Sequence, residues 1–584
     1  MDPTKMTDSK EFARVAEISS LEVGEQESKP QGSLFRRVID GFKPAEIDKV
    51  DTSGMSEEEI QAIMMSRQPL KRKLKNRHIQ MIAIGGSIGS GLFIGSGGSF
   101  KTGGPAAVVI GFAIIGFMLF GTMNALGELA VRYPISGSFS VFSVRFLDPS
   151  WGFAMGWNYA VMWLVVYPLE LIAAAVVINY WKYDDNGATN VNKAAWVSLF
   201  YVLISVVNVF GVRGYGEVEF ILAIVKILAV VGFCIFGIVV AAGGGPSHKY
   251  LGAHYWHDPG AFAHGFKGVA AVFVNAAFAF TGTELSGLAA AEALNPHKTL
   301  PRAVKQVFWR IILFYIVSLT IVSMLVPYNN PNLGTASDGS ASPFVIAIKN
   351  AGVSGLPSVF NVVIILAVLS VANSSVYGCS RTLTALAHVN MAPRWFKYID
   401  REGRPLVSIL FTLAVGNLCF LSAYDGYGKV FDWLLAFTGM SSIFTWGSIC
   451  LCHIRFRHGM RVQGRSLDEL TFKAQAGVWG SWLGFAINMA VLGLQFWMAL
   501  FPPGQSPDAQ TFFKSYLSAP VVLLFYIGHR IWTRNWKPYI RGKDMDLDSG
   551  MRQVDIEAIK RLNQEEDLHI KSRSIFYRIY RFWC

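Results

Sequence analysis

Long apolar windows recur along the chain between residues 79 and 533, and polar segments precede and follow them. A helix needs about 20 consecutive apolar residues to cross a bilayer, so each window predicts a membrane-spanning helix. We therefore expect an all-α integral membrane protein with twelve transmembrane helices. The predicted spans are residues 79–100, 105–130, 151–180, 194–212, 217–242, 266–294, 306–327, 357–387, 405–424, 431–454, 480–501 and 515–533.

Two of these spans contain residues that disfavour a continuous helix. The first interruption is Gly85-Gly86-Ser87-Ile88-Gly89-Ser90-Gly91. The second interruption is Phe278-Ala279-Phe280-Thr281-Gly282-Thr283-Glu284. Backbone at membrane depth leaves the helical state only where it faces protein or a water-filled site, and a matched pair of broken helices is typical of a transporter's binding site. The pattern favours a protein that moves a small polar solute across a membrane.

The interruptions also suggest how the chain is organised. If spans one to five and six to ten form two inverted halves, each half opens with a broken helix, as an inverted repeat requires, and two further helices follow. The predicted units are a cytoplasmic tail at 1–76, two five-helix repeats at 77–242 and 243–456, the last two helices at 457–533, and a second cytoplasmic tail at 534–584.

Composition and charge agree with a membrane location. The 584 residues are 52% hydrophobic and 16% charged, against about 25% charged in soluble domains. The net charge of +12 comes from Lys and Arg in loops that a cytoplasmic N-terminus would place inside, for example Lys298, Arg302 and Lys305. Both termini are therefore expected in the cytoplasm, and the charge requires no nucleic-acid partner.

The ends of the broken helices suggest what the solute is. Unpaired N–H groups near Ser90 and Gly91 would attract an anion, whereas free carbonyls around Phe278 to Thr281 suit an ammonium group. Together they match an α-amino acid. The glycines could instead be close helix-packing faces. A nucleotide loop is excluded because no Gly-Lys-Ser/Thr follows the segment and no strand precedes it. A metal site is not expected either, because no cluster of ligand residues has the spacing that a metal site requires.

Lys226 and two carboxylates are the main charged candidates inside the spans. Charges at membrane depth are costly, so they are functional candidates by default. Lys226 could carry a proton reversibly and bond free carbonyls of the first broken helix, or it could be a permanent cation in a structural pair. Glu170 and Glu284 are the carboxylates expected to reach the cavity.

Two other glutamates have more ambiguous positions. Glu128 precedes Arg132 by four residues, so a helix-surface ion pair is as reasonable an interpretation as a functional role. Glu292 stands close to a basic loop, and we expect a gate or a structural pair there. For side-chain selectivity the third, sixth, eighth and tenth spans are expected to contribute, with Thr438 and Ser442 as candidates.

Several blocks resemble the fungal amino acid permeases, a branch of the amino acid/polyamine/organocation transporter superfamily. They include the stretch from Arg77 to Phe93, Gly127-Glu128-Leu129-Ala130, Phe280-Thr281-Gly282-Thr283-Glu284-Leu285, Ala372-Asn373-Ser374-Ser375-Val376-Tyr377 and His453-Ile454-Arg455-Phe456-Arg457. The resemblance covers roughly residues 75–535. It implies a leucine-transporter-like fold, amino acid uptake at the plasma membrane and coupling to protons.

The resemblance also implies roles for particular residues. The carboxylate-binding segment of the family is matched by Ser87, Ile88, Gly89, Ser90 and Gly91. The amine-binding segment is matched by Phe278, Ala279, Phe280, Thr281, Gly282 and Thr283, with Phe280 as a gating aromatic. Lys226 resembles a fifth-span lysine that replaces a sodium ion in proton-coupled relatives. Cys584 ends a Phe-Trp-Cys terminus similar to those that are palmitoylated.

We therefore expect a plasma-membrane amino acid:proton symporter of broad specificity, and no enzyme. The expected coupling ion is the proton, with no cofactor. Expected partners are an L-amino acid, membrane lipid, and ubiquitin and trafficking machinery on the cytoplasmic tails. The alternatives are a narrow permease for basic amino acids or a polyamine, and a nutrient receptor with little net flux.

Overall fold

The structure, a computed structural model, describes residues 40–45, 76–181, 191–209, 212–246, 248–293, 296–334, 342–423, 427–502 and 506–549, with 551, 568, 572–575 and 577. Within these residues the chain is helical, and the β-structure is an isolated bridge between Pro44 and Asp400. The predicted lipidation site Cys584 and most of the two predicted tails lie outside the described residues.

The first half of the chain begins with two helices separated by the first interruption. They are α1 (Asn76–Gly85) and α2 (Ser96–Gly103), with a π-helical turn Gly91–Gly95 between them. The helices that follow are α3 (Pro105–Arg132), α4 (Ser138–Phe146), α5 (Pro149–Ile178), α6 (Lys193–Val209) and α7 (Val212–Ala241). Proline starts α3 and α5 because its missing N–H is unpaired there anyway, and Asp148 caps α5 by accepting from Trp151 N at 3.0 Å.

The chain after residue 248 contains the second interruption. It begins with α8 (Gly265–Phe280) and the short α9 (Leu285–Leu288), separated by the second interruption. The later helices are α10 (Pro296–Arg310), α11 (Ser318–Leu325), α12 (Pro343–Asn350), α13 (Leu356–His388), α14 (Leu406–Gly416), α15 (Tyr427–Val462), α16 (Gly477–Leu500), α17 (Ala509–Tyr516) and α18 (Ser518–Thr533). A π-helical segment, Ile311–Val317, makes α10 and α11 continuous.

Eight of the described helices are long and apolar enough to cross a membrane, and α17 with α18, bent by 63°, would add a ninth. Their outer faces carry exposed aliphatic side chains such as Leu228, Val362 and Leu483, as lipid-facing helices require. The protein is therefore a multi-pass membrane protein, as the apolar windows predicted.

The centre of the molecule is formed by the broken helices and the long helices around them. The long helices α5 and α13 pack against each other, α1 packs on α7, and α8 packs on α2 and α3. The side chains between these helices are mostly fully buried, Trp163 and Tyr315 among them. Both interruptions consequently lie inside protein, where backbone at membrane depth can leave the helix.

Candidate functional site

The two interruptions touch each other through their backbones. Gly282 has φ +98°, and a Cβ there would lie 2.2 Å from the carbonyl oxygen of Gly86. A Cβ on Gly91 would lie 2.5 Å from the Cα of Ala279. Real Cβ atoms do not approach other atoms this closely, so glycine at these two positions is what lets the segments meet.

A small cavity lies where the segments meet. It is lined by residues of both interruptions, by α5 and by α13: Gly86, Ser87, Gly89, Gly91, Trp163, Val166, Glu170, Phe278, Thr281 and Val371. The centre of a water molecule can occupy about 10 Å³ of it, which is room for about one water. The cavity is therefore too small to hold an amino acid.

Glu170 from α5 reaches the start of the second half-helix. Ser90 Oγ donates to Glu170 Oε1 at 2.7 Å, and the carboxylate is 1% exposed. The other oxygen, Oε2, has no hydrogen-bond partner among the described residues. A buried carboxylate oxygen of this kind can accept a hydrogen bond from a cationic or N–H-bearing solute in the cavity.

Tyr315 connects the two interruptions. Its hydroxyl lies 3.0 Å from Ser87 O and 2.8 Å from Ala279 O, so one O–H is placed to donate to a carbonyl of either segment. The sequence analysis did not identify Tyr315, which lies in the π-helical segment Ile311–Val317. A single local π-helical segment often marks a functional site, but it cannot be recognised from sequence periodicity.

Lys226 contacts the first broken helix as the sequence predicted. Its ammonium donates to Gly85 O at 2.5 Å, and the side chain is fully buried. The lysine interacts electrostatically with Glu170 and with Glu219. A cation thus holds the carbonyl at which α1 ends.

Glu219 is a second carboxylate at this point, and sequence analysis missed it. It accepts hydrogen bonds from Ser370 Oγ and, at 3.3 Å, from Asn373 Nδ2, both on α13. A Cβ on Gly85 would overlap its carboxylate. Glu219 stands seven residues before Lys226, two helical turns away on the same face of α7, and that spacing is the signal that could have revealed it. These polar residues of α13 thus make interhelical hydrogen bonds.

The second interruption contributes unequally to the cavity. Phe278 and Thr281 line it, and Thr281 shares a 2.6 Å hydrogen bond with Ser442 of α15. Phe280, expected as a gating aromatic, packs on Tyr315 with ring centroids 4.3 Å apart and does not line the cavity. Thr438 bonds within its own helix, to Leu434 O.

Contrary to the prediction, Glu284 does not line the cavity. Its carboxylate accepts from Gly282 N, from Tyr159 OH and from Trp446 Nε1, each at 3.2 Å. The cause is the turn at Gly282, which directs the backbone N–H of the interruption toward the carboxylate two residues on. Glu284 therefore stabilises the backbone of the second interruption without lining the cavity.

Glu128 and Glu292 lie in separate buried ion pairs. Glu128 accepts from His453 Nε2 at 3.0 Å and from Arg457 at 2.7 Å. The surface pair with Arg132 is not formed, because Arg132 donates to Glu469 instead.

The predicted structural pair of Glu292 is present. It accepts from Arg381 Nε at 2.9 Å and ties the end of the second broken segment to α13.

The structure brings together at one cavity six of the predicted residues: Ser87, Gly89, Gly91, Glu170, Phe278 and Thr281. The predicted residues Ile88, Ser90, Ala279, Phe280, Gly282 and Thr283 lie in the same two segments without lining it. Sequence analysis missed the lining residues Trp163, Val166 and Val371, which are apolar residues in apolar spans and carry no local signal.

Comparison with known proteins identifies the family of this chain. The family described as amino acid permease matches residues 78–541. General amino-acid permease GAP2 of Candida albicans is 56% identical, covering 96% of this chain and 95% of its own. General amino-acid permease GAP1 of Saccharomyces cerevisiae is 51% identical, covering 95% and 92%.

Further relatives carry other substrate names. Cationic amino acid transporter 1 of Schizosaccharomyces pombe is 47% identical, covering 95% of this chain and 91% of its own. Among solved structures, Mhp1, a nucleobase-cation-symport-1 family transporter, covers 80% of this chain and 95% of its own at 15% identity with a TM-score of 0.45. The chain belongs to the amino acid permease family, whose members are transporters and not enzymes.

Proposed function

We propose that this permease imports α-amino acids across the plasma membrane by proton symport, with broad specificity and without a cofactor. The observation that carries the proposal is the cavity between the two interruptions, which is lined by residues of both segments and by Glu170. Two relatives are named general amino-acid permeases, which supports broad specificity.

Alternating access is the transport mechanism that this geometry favours. The cavity has room for about one water, so an amino acid can enter or leave only if the surrounding helices separate. The Tyr315 hydroxyl bridges the two interruptions, and its single O–H can bond only one of the two carbonyls at a time. Movement of one group of helices against another would open the site to either side in turn.

We further propose twelve spans in a leucine-transporter-like 5+5 inverted repeat followed by two helices. The two shorter apolar helices α6 and α14, the bent pair and the first interrupted segment would raise the eight long helices to twelve. In support of the repeat, both halves have a broken segment, then a long helix, a short helix and a 33-residue helical segment: Pro149–Trp181 in one and Leu356–His388 in the other. The units 77–242, 243–456 and 457–533 follow from this division. An even number of spans agrees with the placement of both tails in the cytoplasm. Ubiquitin and trafficking machinery would act on these tails.

In the proposed mechanism, the substrate carboxylate binds the Ser87–Gly91 segment and its ammonium binds the carbonyls of Phe278–Thr281. Lys226 acts as the proton carrier, with Glu219 as its counter-charge. When protonated, Lys226 bonds Gly85 O and holds α1 against α7. When it releases its proton, that tie is weakened and the halves can move. Glu284, Glu128 and Glu292 would then support the gates.

A second candidate function is transport restricted to cationic amino acids or polyamines. It is favoured by the unpartnered Oε2 of Glu170 in the cavity, and one relative is named a cationic amino acid transporter. In Glu170→Gln the shape and the bond from Ser90 can persist while the negative charge is lost. Uptake of cationic substrates alone by the parent protein, lost in that variant, would favour this candidate. Neutral uptake by the parent, whether it persists or falls in the variant, would favour the broad one.

Radiolabelled uptake tests the proposal directly. The chain is expressed in cells that lack their own amino acid uptake, and neutral, acidic and basic amino acids are offered with and without a protonophore. We expect several neutral amino acids to be accumulated and the accumulation to collapse with the protonophore. Competition by lysine and arginine alone would contradict broad specificity, and binding without flux would indicate a nutrient receptor.

A further inference from the structure

A second and larger cavity lies apart from the two interruptions, and its lining includes no residue of either segment. The centre of a water molecule can occupy about 530 Å³ of it. It lies between the start of α5, the middle of α15, and the peripheral helices α16 and α18. Its lining is mostly apolar, with Trp151, Phe444, Met489 and Tyr526 among the side chains.

The length of this cavity matches one leaflet of a bilayer. Phe444 and Arg455 both line it and are eleven residues apart on α15, which corresponds to about 16 Å along a helix. Half of the hydrocarbon core of a bilayer is about 15 Å thick. The deep end of the cavity would therefore reach the bilayer centre when Arg455 stands at the level of the headgroups.

The charge at the shallow end is positive. Asp148 lines the cavity but lies 3.4 Å from Arg530, which neutralises it. Arg455 donates to Ile540 O and stacks over the Tyr539 ring at 5.1 Å. That hydrogen bond uses one of the five N–H donors of the guanidinium, so others can bind a phosphate.

The cavity also opens toward the region that lipid would occupy. Met489 on its wall is 40% exposed, and neighbouring Trp482 and Leu483 on the same helix are exposed as well. An apolar slot with a cation at one end is complementary to an amphiphile with an anionic head. Inner leaflets are rich in such lipids, which attract basic residues at the membrane surface.

We infer that this cavity binds one acyl chain of an anionic phospholipid of the cytoplasmic leaflet, with its phosphate on Arg455. Binding there would link α5 to α15, α16 and α18. Because α5 also carries Glu170, the lipid would stabilise the helix that presents this carboxylate to the substrate cavity.

The test uses the purified full chain in nanodiscs of phosphatidylcholine alone or with phosphatidylserine. Bound lipid is counted by native mass spectrometry, and unfolding temperature is measured in parallel. We expect one retained phosphatidylserine per chain and a higher unfolding temperature with phosphatidylserine. Arg455→Gln should reduce the preference for phosphatidylserine about fivefold, the factor expected for one cation at the surface.

A filling variant tests the slot itself. A Cβ on Gly447 would meet Asn488 and Met489 at an ordinary 3.5 Å, so Gly447→Leu can extend into the cavity and should abolish retention of both lipids. Met489→Trp fills the slot from the opposite wall and serves if the first variant does not fold. Arg461→Gln, at an exposed position further along α15, is the matched control and should retain lipid normally.

Three results would overturn the inference. The first is unchanged lipid preference in Arg455→Gln, and the second is lipid retained by both filling variants. The third is loss of the bound acyl chain in Cys584→Ser, which would make the occupant the chain's own lipidated terminus. Retention of phosphatidylserine by Cys584→Ser together with its loss from the filling variants supports a membrane phospholipid.

Discussion

Substitution of Lys226 by methionine separates a structural role of this residue from a role in proton coupling. Methionine keeps much of the length but removes the ammonium that donates to Gly85 O at 2.5 Å. Ser370 Oγ lies 3.4 Å from that carbonyl, but its single O–H already donates to Glu219. Glu219 loses the cation with which it interacts. Removing one partner from a buried set of charges costs about 3–5 kcal/mol of folding free energy.

That cost can be removed without restoring the proton carrier. In Lys226→Met with Glu219→Gln, the charge of Glu219 is removed together with that of the lysine, so of the two carboxylates only Glu170 loses its cation. The amide oxygen can still accept from Ser370 or from Asn373, which bond separate oxygens of the carboxylate. We therefore expect the single variant to unfold at a lower temperature than the parent and the double variant to recover most of the difference. The single variant Glu219→Gln, which keeps the lysine, is the control for the carboxylate.

Coupling is measured in proteoliposomes with an imposed pH gradient. One coupled proton and one pH unit supply about 1.4 kcal/mol, enough for about tenfold accumulation. The parent protein should approach that ratio, and 100 mV of membrane potential should add about 2.3 kcal/mol per charge moved. Both lysine variants should equilibrate substrate to a ratio of one while still exchanging labelled for unlabelled amino acid.

Accumulation by the lysine variants would refute this mechanism. If Lys226→Met with Glu219→Gln concentrates substrate and loses it on addition of a protonophore, the proton is carried elsewhere, with Glu128 and Glu284 as the next candidates. Lys226 would then be a structural cation that joins α7 to the end of α1. Loss of both exchange and accumulation in the stable double variant would also contradict a pure coupling role.

Three further predictions concern the interruptions and the tail. Gly91→Val should abolish uptake while the protein still reaches the cell surface. The new Cβ would lie 2.5 Å from Ala279 Cα, and this overlap costs about 1–3 kcal/mol. Normal radiolabelled uptake by the variant would refute the assignment of Gly91 to the binding site. Tyr315→Phe should lose about 1 kcal/mol of folding free energy, because the hydroxyl that bridges the segments is absent. The variant should also alter the rate of substrate exchange, measured by counterflow. An unchanged exchange rate would mean that the bridge is only structural. Cys584→Ser should lose palmitate labelling and change trafficking rather than transport rate, and label at full strength would place the lipid on another cysteine.

Much of the fold could be predicted from sequence because its signals are local. Apolar length decides whether a segment can span a bilayer, and the predicted spans coincide with described helices or interrupted segments along the chain. The interruptions were also evident, since glycine and small polar residues stand inside otherwise apolar runs. Lys226 was recognisable for the same reason, because a lone cation is conspicuous in an apolar helix.

Partners in space were decided by packing and could not be read from single segments. Glu284 and Glu170 are both carboxylates in apolar spans, yet the turn at Gly282 directs one to the backbone while α5 presents the other to the cavity. Glu128 pairs with residues more than 300 positions away and not with its helical neighbour Arg132.

The sequence by itself therefore determined that the chain is a helical membrane protein, where two of its helices break, and that a lysine lies at membrane depth. Each of these follows from the free energy of transferring local groups into lipid, which depends on residue type and order. Only the tertiary structure decided that Tyr315 bridges the breaks, that Glu219 faces Lys226, and how nearly closed the cavity is. These depend on which helices pack together and at what depth, and distances between side chains from distant segments are set by that packing alone.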